Sequence, residues 1–323
     1  MLKKSLLKNK TIISGLCMIL ALIALSGCSK TNKEQRPWEE ITFTDSLNRQ
    51  VTVKKSPERV AALIGSFADV WLLAGGEICA TAEDTWEDFG LELENCVNIG
   101  GAHSPNFEAL LSANPDFVIA SASTASNVKL KESLENAGIC VAYFDVDCFD
   151  DYIQMLDICT DITGKKELFE KNGQNIKKQI DEILKEYKDT DIPEEKRTIL
   201  LLRTSSGSVK AKGSEGTILG EMLDDFGCIN IADNDKTLLD DISIESIIKQ
   251  EPYRIFTVAM GDEAKAEENL LKMMEENPAW GTLDAVKENR LYMMDRKLFN
   301  IKPNADWAKS YEKLSEILLD KTK

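Results

Sequence analysis

One sequence element occurs twice in this chain, and it limits the possible folds more than any other pattern. The first copy is N-F-E-A-L-L-S-A-N-P-D-F-V-I-A, residues 106–120, and the second is S-I-E-S-I-I-K-Q-E-P-Y-R-I-F-T, residues 243–257. Each copy begins with a good helix-capping residue, continues as a short helical pattern, and passes through a proline into an apolar run that predicts a strand. A helix–proline–strand unit in both halves of the chain favours two similar α/β lobes.

The rest of the chain alternates strand and helix patterns in the same way. Candidate strands are residues 59–64, 77–82, 97–99, 117–120 and 139–144 in the first half, and 198–202, 255–259 and 291–294 in the second. Residues 163–190 lack proline and repeat apolar residues at helical spacing, with Gly173 as the one weak position. We therefore predict an α/β fold with two Rossmann-like lobes, residues 41–162 and 191–323. Both lobes are expected to have mainly parallel central sheets, and residues 163–190 are expected to join them as a single long helix.

The N-terminus predicts export. Residues 1–10 are basic, residues 11–25 are apolar, and L-S-G-C follows, ending at Cys28. The apolar run is shorter than the about 20 residues that span a bilayer, so it predicts a signal peptide over residues 1–27, with an uncleaved signal anchor as the alternative. L-S-G-C resembles a bacterial lipobox, which implies a lipid on Cys28 and a tether over residues 28–40. The mature protein is then expected outside the cytoplasmic membrane, anchored to it by that lipid.

Charge and cysteine content narrow the function classes. Residues 1–27 hold four lysines and no acid, so their removal leaves 35 basic and 55 acidic residues, a formal charge of −20. Nucleic-acid binding is not expected, because the phosphate backbone requires a cationic face. Export permits disulfides among the six remaining cysteines, but the sequence does not choose between their many possible pairings. These six are Cys79, Cys96, Cys140, Cys148, Cys159 and Cys228.

Several segments, in order, carry a resemblance to a known family. They include T-D-S-L-N-R-Q-V-T-V, S-P-E-R-V-A-A-L, W-L-L-A-G-G, V-N-I-G-G, both copies of the repeated element, and N-P-A-W-G-T-L-D-A-V-K-E-N-R-L-Y. The chain resembles the periplasmic binding proteins that serve ABC importers of ferric siderophores, haem and vitamin B12. The resemblance covers nearly all of the mature chain. It implies a monomer that binds a small-molecule metal chelate between two lobes, has no intrinsic cofactor and no catalytic residues, and delivers the chelate to a permease dimer with its ATPase.

The resemblance also gives the repeated glutamates a role. In the family, one glutamate on each lobe pairs with arginines of the two permease subunits, and Glu108 and Glu245 match those positions. A second interpretation needs no partner, because a carboxylate in the first turn of a helix is stabilised by the helix dipole. The two interpretations are compatible.

Residues that follow the predicted strands are the candidate ligand contacts. They are Ser66, Phe67, Trp86, His103, Arg203, Met260, Lys302 and Trp307. Each has an alternative role: the two tryptophans as packing residues, Arg203 as a surface charge, and Met260 as core. His103 is the one histidine of the chain, which disfavours capture of a bare metal ion and favours a chelate.

The expected cargo is a ferric siderophore first, then haem, then a corrinoid. His103 and Met260 are the possible haem ligands. Other function classes stay open as alternatives, namely a two-lobed extracytoplasmic enzyme and a binding lipoprotein without a transport role. The sequence shows no dinucleotide, P-loop or nucleophile-elbow motif that would support the enzyme.

Overall fold

A parallel sheet forms the centre of the first lobe. The structure is a computed structural model that describes residues 39–321. The strand order is β5-β4-β3-β6-β7, and all neighbours are parallel. The strands are β3 Val60–Ala62, β4 Ile78–Thr81, β5 Val97–Asn98, β6 Phe117–Ser121 and β7 Cys140–Phe144. Both faces of β6 are buried, with Ile119 in one hydrophobic cluster and Val118 in another, which explains its unbroken apolar sequence.

The second lobe contains a similar sheet, of order β10-β8-β11-β12. Its strands are β8 Thr198–Thr204, β9 Val209–Lys212, β10 Ile229–Asn230, β11 Arg254–Ala259 and β12 Leu291–Met294. β9 pairs antiparallel with β8, and the other pairs are parallel. A separate antiparallel hairpin, β1 Glu40–Thr44 and β2 Gln50–Lys54, precedes the first lobe. The predicted fold class, two α/β lobes with mainly parallel sheets, is confirmed.

Helices lie between the strands of both lobes. In chain order they are α1 Gly65–Leu73, α2 Asp84–Glu87, α3 Phe107–Ser112, α4 Ala125–Lys129, α5 Lys131–Asn136, α6 Phe149–Thr163, α7 Lys166–Phe169, α8 Asn175–Lys188, α9 Ile218–Asp225, α10 Ile231–Asn234, α11 Thr237–Asp240, α12 Ile244–Gln250, α13 Glu263–Glu276, α14 Asp284–Lys287, α15 Arg296–Phe299 and α16 Trp307–Leu318. Short 3₁₀ turns cover Glu194–Arg197, Pro278–Thr282 and Asn304–Asp306.

The connection between the lobes is helical from Lys166 to Lys188, but it is not a uniform α-helix. Glu170–Gln174 form a π-helical turn between α7 and α8. Gly173 lies in this turn, and a Cβ there would be 3.2 Å from the side chains of Ile153, Leu156 and Phe169. The glycine that the sequence marks as a weak helical position therefore allows the connection to pack closely on α6.

The predicted signal peptide, residues 1–27, and the lipidation site Cys28 lie outside the described residues. Within residues 39–321, no helix combines the length and the apolar character needed to cross a bilayer. The six cysteines of this part of the chain are all free thiols in the structure. The structure therefore contains no disulfide among these six residues.

Candidate functional site

A cavity of about 570 Å³ lies between the two lobes. Its wall is formed by residues that follow β3, β4, β5 and β6 in the first lobe, and β11 and β12 in the second. Loops at the carboxyl ends of parallel strands are where open α/β sheets place their ligand sites. The volume is within the range of pockets that enclose a small organic molecule.

Four of the predicted contact residues line this cavity. Ser66 and His103 come from the first lobe, and Met260 and Lys302 come from the second. Ser66 is buried, Lys302 is half-buried, and His103 and Met260 are exposed. Each of these four residues follows a strand, and the fold brings them together in one cavity although they are distant in sequence.

The other four predicted contacts lie elsewhere. Phe67 and Trp307 are 1% and 0% exposed and belong to the main hydrophobic cluster. Trp86 and Arg203 are half-buried and are not part of the cavity wall. We therefore assign Phe67 and Trp307 to the core instead of the ligand site, because both side chains are buried and contact other aromatic rings of the core.

An acidic segment that follows β4 forms one wall of the cavity. Glu83, Asp84, Glu87 and Asp88 all line it, and Phe89 adds an aromatic surface beside them. Trp86, in the same short helix, does not line it. Trp86 was the predicted contact in this segment, and the four carboxylates were not predicted, although they follow the end of the same strand.

Asp84 holds this wall against helix α1. Its Oδ2 accepts a hydrogen bond from the backbone N–H of Gly65, at 2.9 Å, at a helix start that has no capping side chain of its own. Burial raises the pKa of the Asp84 carboxyl, while the Gly65 hydrogen bond acts in the opposite direction. The close approach requires a residue without a side chain, because a Cβ on Gly65 would lie 2.6 Å from the Thr85 nitrogen.

We predict that Gly65→Ala will displace the acidic wall. The added methyl group meets backbone atoms that cannot rotate away, so we expect a loss of about 1–3 kcal/mol in stability and weaker ligand binding. Thermal unfolding and ligand titration would measure both. Gly281→Ala is the matched control, because a Cβ there has no neighbour within 4 Å in the described part of the chain. Equal behaviour of the two variants would contradict this account of the wall.

Two contacts join the lobes beside the cavity. Arg296, at the start of α15, forms a bidentate ion pair with Asp88, with N–O distances of 2.5 and 2.9 Å. The buried Asn304 donates from Nδ2 to the carbonyl oxygen of Ser66 at 2.9 Å and to Oδ2 of Asp69 at 2.8 Å. Arg296 was not among the predicted contacts, although it lies two residues after the predicted strand 291–294.

The loop that carries His103 is held from α4. Ser126 Oγ and Asn127 Nδ2 both donate to the carbonyl oxygen of Ala102, at 3.0 and 3.1 Å. Asn127 is fully buried, so this anchor places the His103 backbone firmly at the cavity wall.

On the opposite lobe, Lys302 lies in a charged environment. Burial lowers the pKa of its ammonium group, while Asp147 and Asp145 act in the opposite direction. Arg203, outside the cavity wall, adds a further lowering effect on Lys302. No group of three or more His, Cys, Asp or Glu side chains in residues 39–321 is arranged to hold a metal ion.

The two repeated glutamates occupy equivalent places in the two lobes. The side chains of Asn106 and Ser243 accept hydrogen bonds from the backbone N–H groups three residues later, which confirms both as helix caps. Glu108 and Glu245 follow two residues after these caps, and both are exposed. The helices that they begin, α3 and α12, lead directly into β6 and β11, and each of these strands has parallel neighbours on both sides.

Comparison with known proteins then identifies the family. The periplasmic binding protein family matches residues 60–298, which is most of the chain and includes both sheets. The chain belongs to that family. It is 26% identical over 291 residues to the ABC transporter substrate-binding lipoprotein YvrC of Bacillus subtilis (strain 168), covering 87% of this chain and 88% of YvrC. It is 24% identical over 302 residues to the Fe(3+)-citrate-binding protein YfmC of the same organism, covering 89% and 90%.

Solved structures of this periplasmic binding protein's relatives share its fold. Staphylococcus aureus SirA complexed with staphyloferrin B aligns with a TM-score of 0.65 at 21% identity, covering 87% of this chain and 98% of SirA. Staphylococcus aureus IsdE complexed with heme aligns with a TM-score of 0.65 at 16% identity, covering 80% and 98%. At these identities the likeness establishes the two-lobed fold.

Proposed function

We propose that this protein is the extracytoplasmic binding component of an ABC importer, and that it captures a metal chelate between its lobes. The observation that carries the proposal is the cavity at the carboxyl ends of both sheets, to which each lobe contributes side chains. Family membership, and relatives named as substrate-binding lipoproteins, support a transport role over catalysis. The same names support the lipid anchor that L-S-G-C implies at Cys28.

A ferric siderophore is the first candidate cargo. The cavity combines apolar side chains, among them Ile64, Phe89 and Ile301, with several charged groups, which suits an organic ligand that surrounds its metal. Relatives named for ferric citrate and structures solved with siderophores support this choice. The chelate supplies the metal ligands itself, so the protein needs no cluster of its own.

Haem is the second candidate, because His103 and Met260 line the same cavity from opposite lobes. An imidazole and a thioether are a known axial pair for haem iron. A corrinoid is the third candidate, since it requires little beyond shape and apolar surface. The cargo is then delivered to a permease dimer with its ATPase, and Glu108 and Glu245 are the proposed docking residues.

We predict that the mature protein binds one chelate per chain. Absorption spectra and native mass would be recorded after addition of ferric siderophores, haemin or cobalamin. We expect a mass increase with a ferric siderophore, whereas a Soret shift that His103→Ala removes would place haem first. Trp86→Ala is the control, because Trp86 lies outside the cavity wall. Binding of none of the three, or turnover of a bound compound, would contradict the proposed function.

A further inference from the structure

Acidic side chains outnumber basic side chains on the cavity wall. Four carboxylates line it, all from the segment Glu83–Asp88, and two basic side chains, Arg296 and Lys302, line it from the other lobe. The formal charges of these six side chains, four negative and two positive, sum to −2. A concave, partly dry surface concentrates such a field and biases which ligands enter.

Arg296 offers little to an anionic ligand, because Asp88 already occupies it. Both terminal nitrogens of the guanidinium bind the two carboxylate oxygens of Asp88. The third nitrogen, Nε, is buried and has no hydrogen-bond partner among residues 39–321. A carboxylate or catecholate ligand would therefore have to break a bidentate pair, one of the stronger polar contacts in proteins.

Lys302 has two acidic neighbours outside the cavity wall. Asp145 and Asp147, which follow β7, act on its charge from outside the cavity wall. By contrast, neither Glu83 nor Glu87 makes an ion pair within residues 39–321, and both are exposed at the cavity. The free charge that a ligand meets is therefore mainly negative.

We propose that this cavity selects chelates of zero or positive net charge, the class represented by trihydroxamate siderophores, and that Glu83 and Glu87 receive a cationic group of the ligand. This inference rests on the proposed function. Three singly charged hydroxamates neutralise one ferric ion, so a free ammonium group on the same molecule makes the complex cationic. Polycarboxylate and tricatecholate complexes are anionic and are repelled by the acidic wall.

The test uses one trihydroxamate core with three terminal charges. Ferric ferrioxamine B has a free amine, its acetylated form is neutral, and its succinylated form is anionic. We expect affinity to fall in that order, by about tenfold or more between the ends of the series at low salt. Added salt should narrow the difference, because part of the field is screened. Titration by tryptophan fluorescence or calorimetry measures the three dissociation constants.

Variants locate the source of the selection. Glu87→Gln should reduce the difference between the cationic and anionic forms, and Asp88→Asn should improve binding of the anionic form by freeing Arg296. Glu94→Gln is the matched control, since Glu94 is an exposed carboxylate on the same lobe that does not line the cavity. An equal effect of Glu94→Gln would show a general charge effect and would overturn the assignment to Glu83 and Glu87.

A wider panel separates this inference from the proposed function. It contains ferric citrate, haemin and cobalamin together with the three ferrioxamines. Tightest binding by an anionic member, or a flat or reversed order in the ferrioxamine series, overturns the charge selection and leaves the chelate-binding function standing. Tightest binding by a neutral or cationic member supports the selection. If no member binds, the proposed function fails, and the charge selection fails with it.

Discussion

Transport should fall to background, with cargo affinity unchanged, when Glu108 and Glu245 are both replaced by lysine. The structure supports equivalent positions for the two side chains, one on each lobe. The N–H of Asn106, the cap of α3, donates to the carbonyl oxygen of Ile99 just beyond β5, at 2.6 Å. Helix α3 therefore begins at the carboxyl edge of the first sheet, the edge where the cavity opens.

A different contact positions α12 in the second lobe. Ser246 on α12 donates to Asp235, which follows β10 and α10. Glu245 thus also lies near the carboxyl edge of its sheet. Each exposed ion pair with a partner is worth about 0.2–1 kcal/mol, so docking through such pairs would be transient. Reversal of both charges replaces two attractions with two repulsions against an arginine-bearing partner, which explains the large expected effect.

A charge-matched control makes the test specific. Glu132 and Glu167 are also exposed acids in first helical turns. The double variant Glu132→Lys, Glu167→Lys therefore has the same net charge as the Glu108→Lys, Glu245→Lys variant and also loses two favourable helix-dipole interactions. Uptake of labelled chelate by cells that depend on this protein would be compared for the two double variants, with binding measured on purified protein. Normal uptake by the Glu108→Lys, Glu245→Lys variant would reject the docking role and leave the glutamates as helix-start residues.

Trp307→Ala should destabilise the protein by roughly 3–5 kcal/mol, because it opens a large cavity in the core. Trp307 is fully buried at the start of α16, with its ring 5.7 Å from Phe149 and 6.4 Å from both Tyr152 and Tyr311, measured between ring centroids. Phe149 and Tyr152 lie on α6, so this aromatic cluster packs α16 against α6, the helix that precedes the connection between the lobes. Calorimetric unfolding would detect the loss as a lower midpoint temperature.

The same variant tests the reassignment of Trp307 from ligand contact to core. Below its unfolding temperature, Trp307→Ala should retain the chelate affinity of the wild-type protein. Trp307→Phe should recover most of the stability, because a ring of smaller size still fills most of the space. A variant of normal stability that no longer binds chelate would instead return Trp307 to the ligand site.

Neighbouring residues show which features of the site sequence patterns can predict. Ser66 and Phe67 are neighbours, yet Ser66 lines the cavity and Phe67 is in the core. Glu87 lines the cavity and Trp86 does not. Successive residues on a helix point about 100° apart, so a rule that selects the segment after a strand does not select the side chain. The helix axis and its packing decide which residue faces the ligand.

The sequence by itself determined the α/β class, the two similar lobes, the helical connection and the capped glutamate on each lobe. These features follow from local periodicity, capping and proline placement, which act over a few residues. Only the tertiary structure decided that Asp88 holds Arg296 from 208 positions away, that an acidic segment lines the cavity, and that Trp307 lies in the core. Those contacts depend on how two separately patterned lobes pack against each other, and no local signal in the chain encodes that packing.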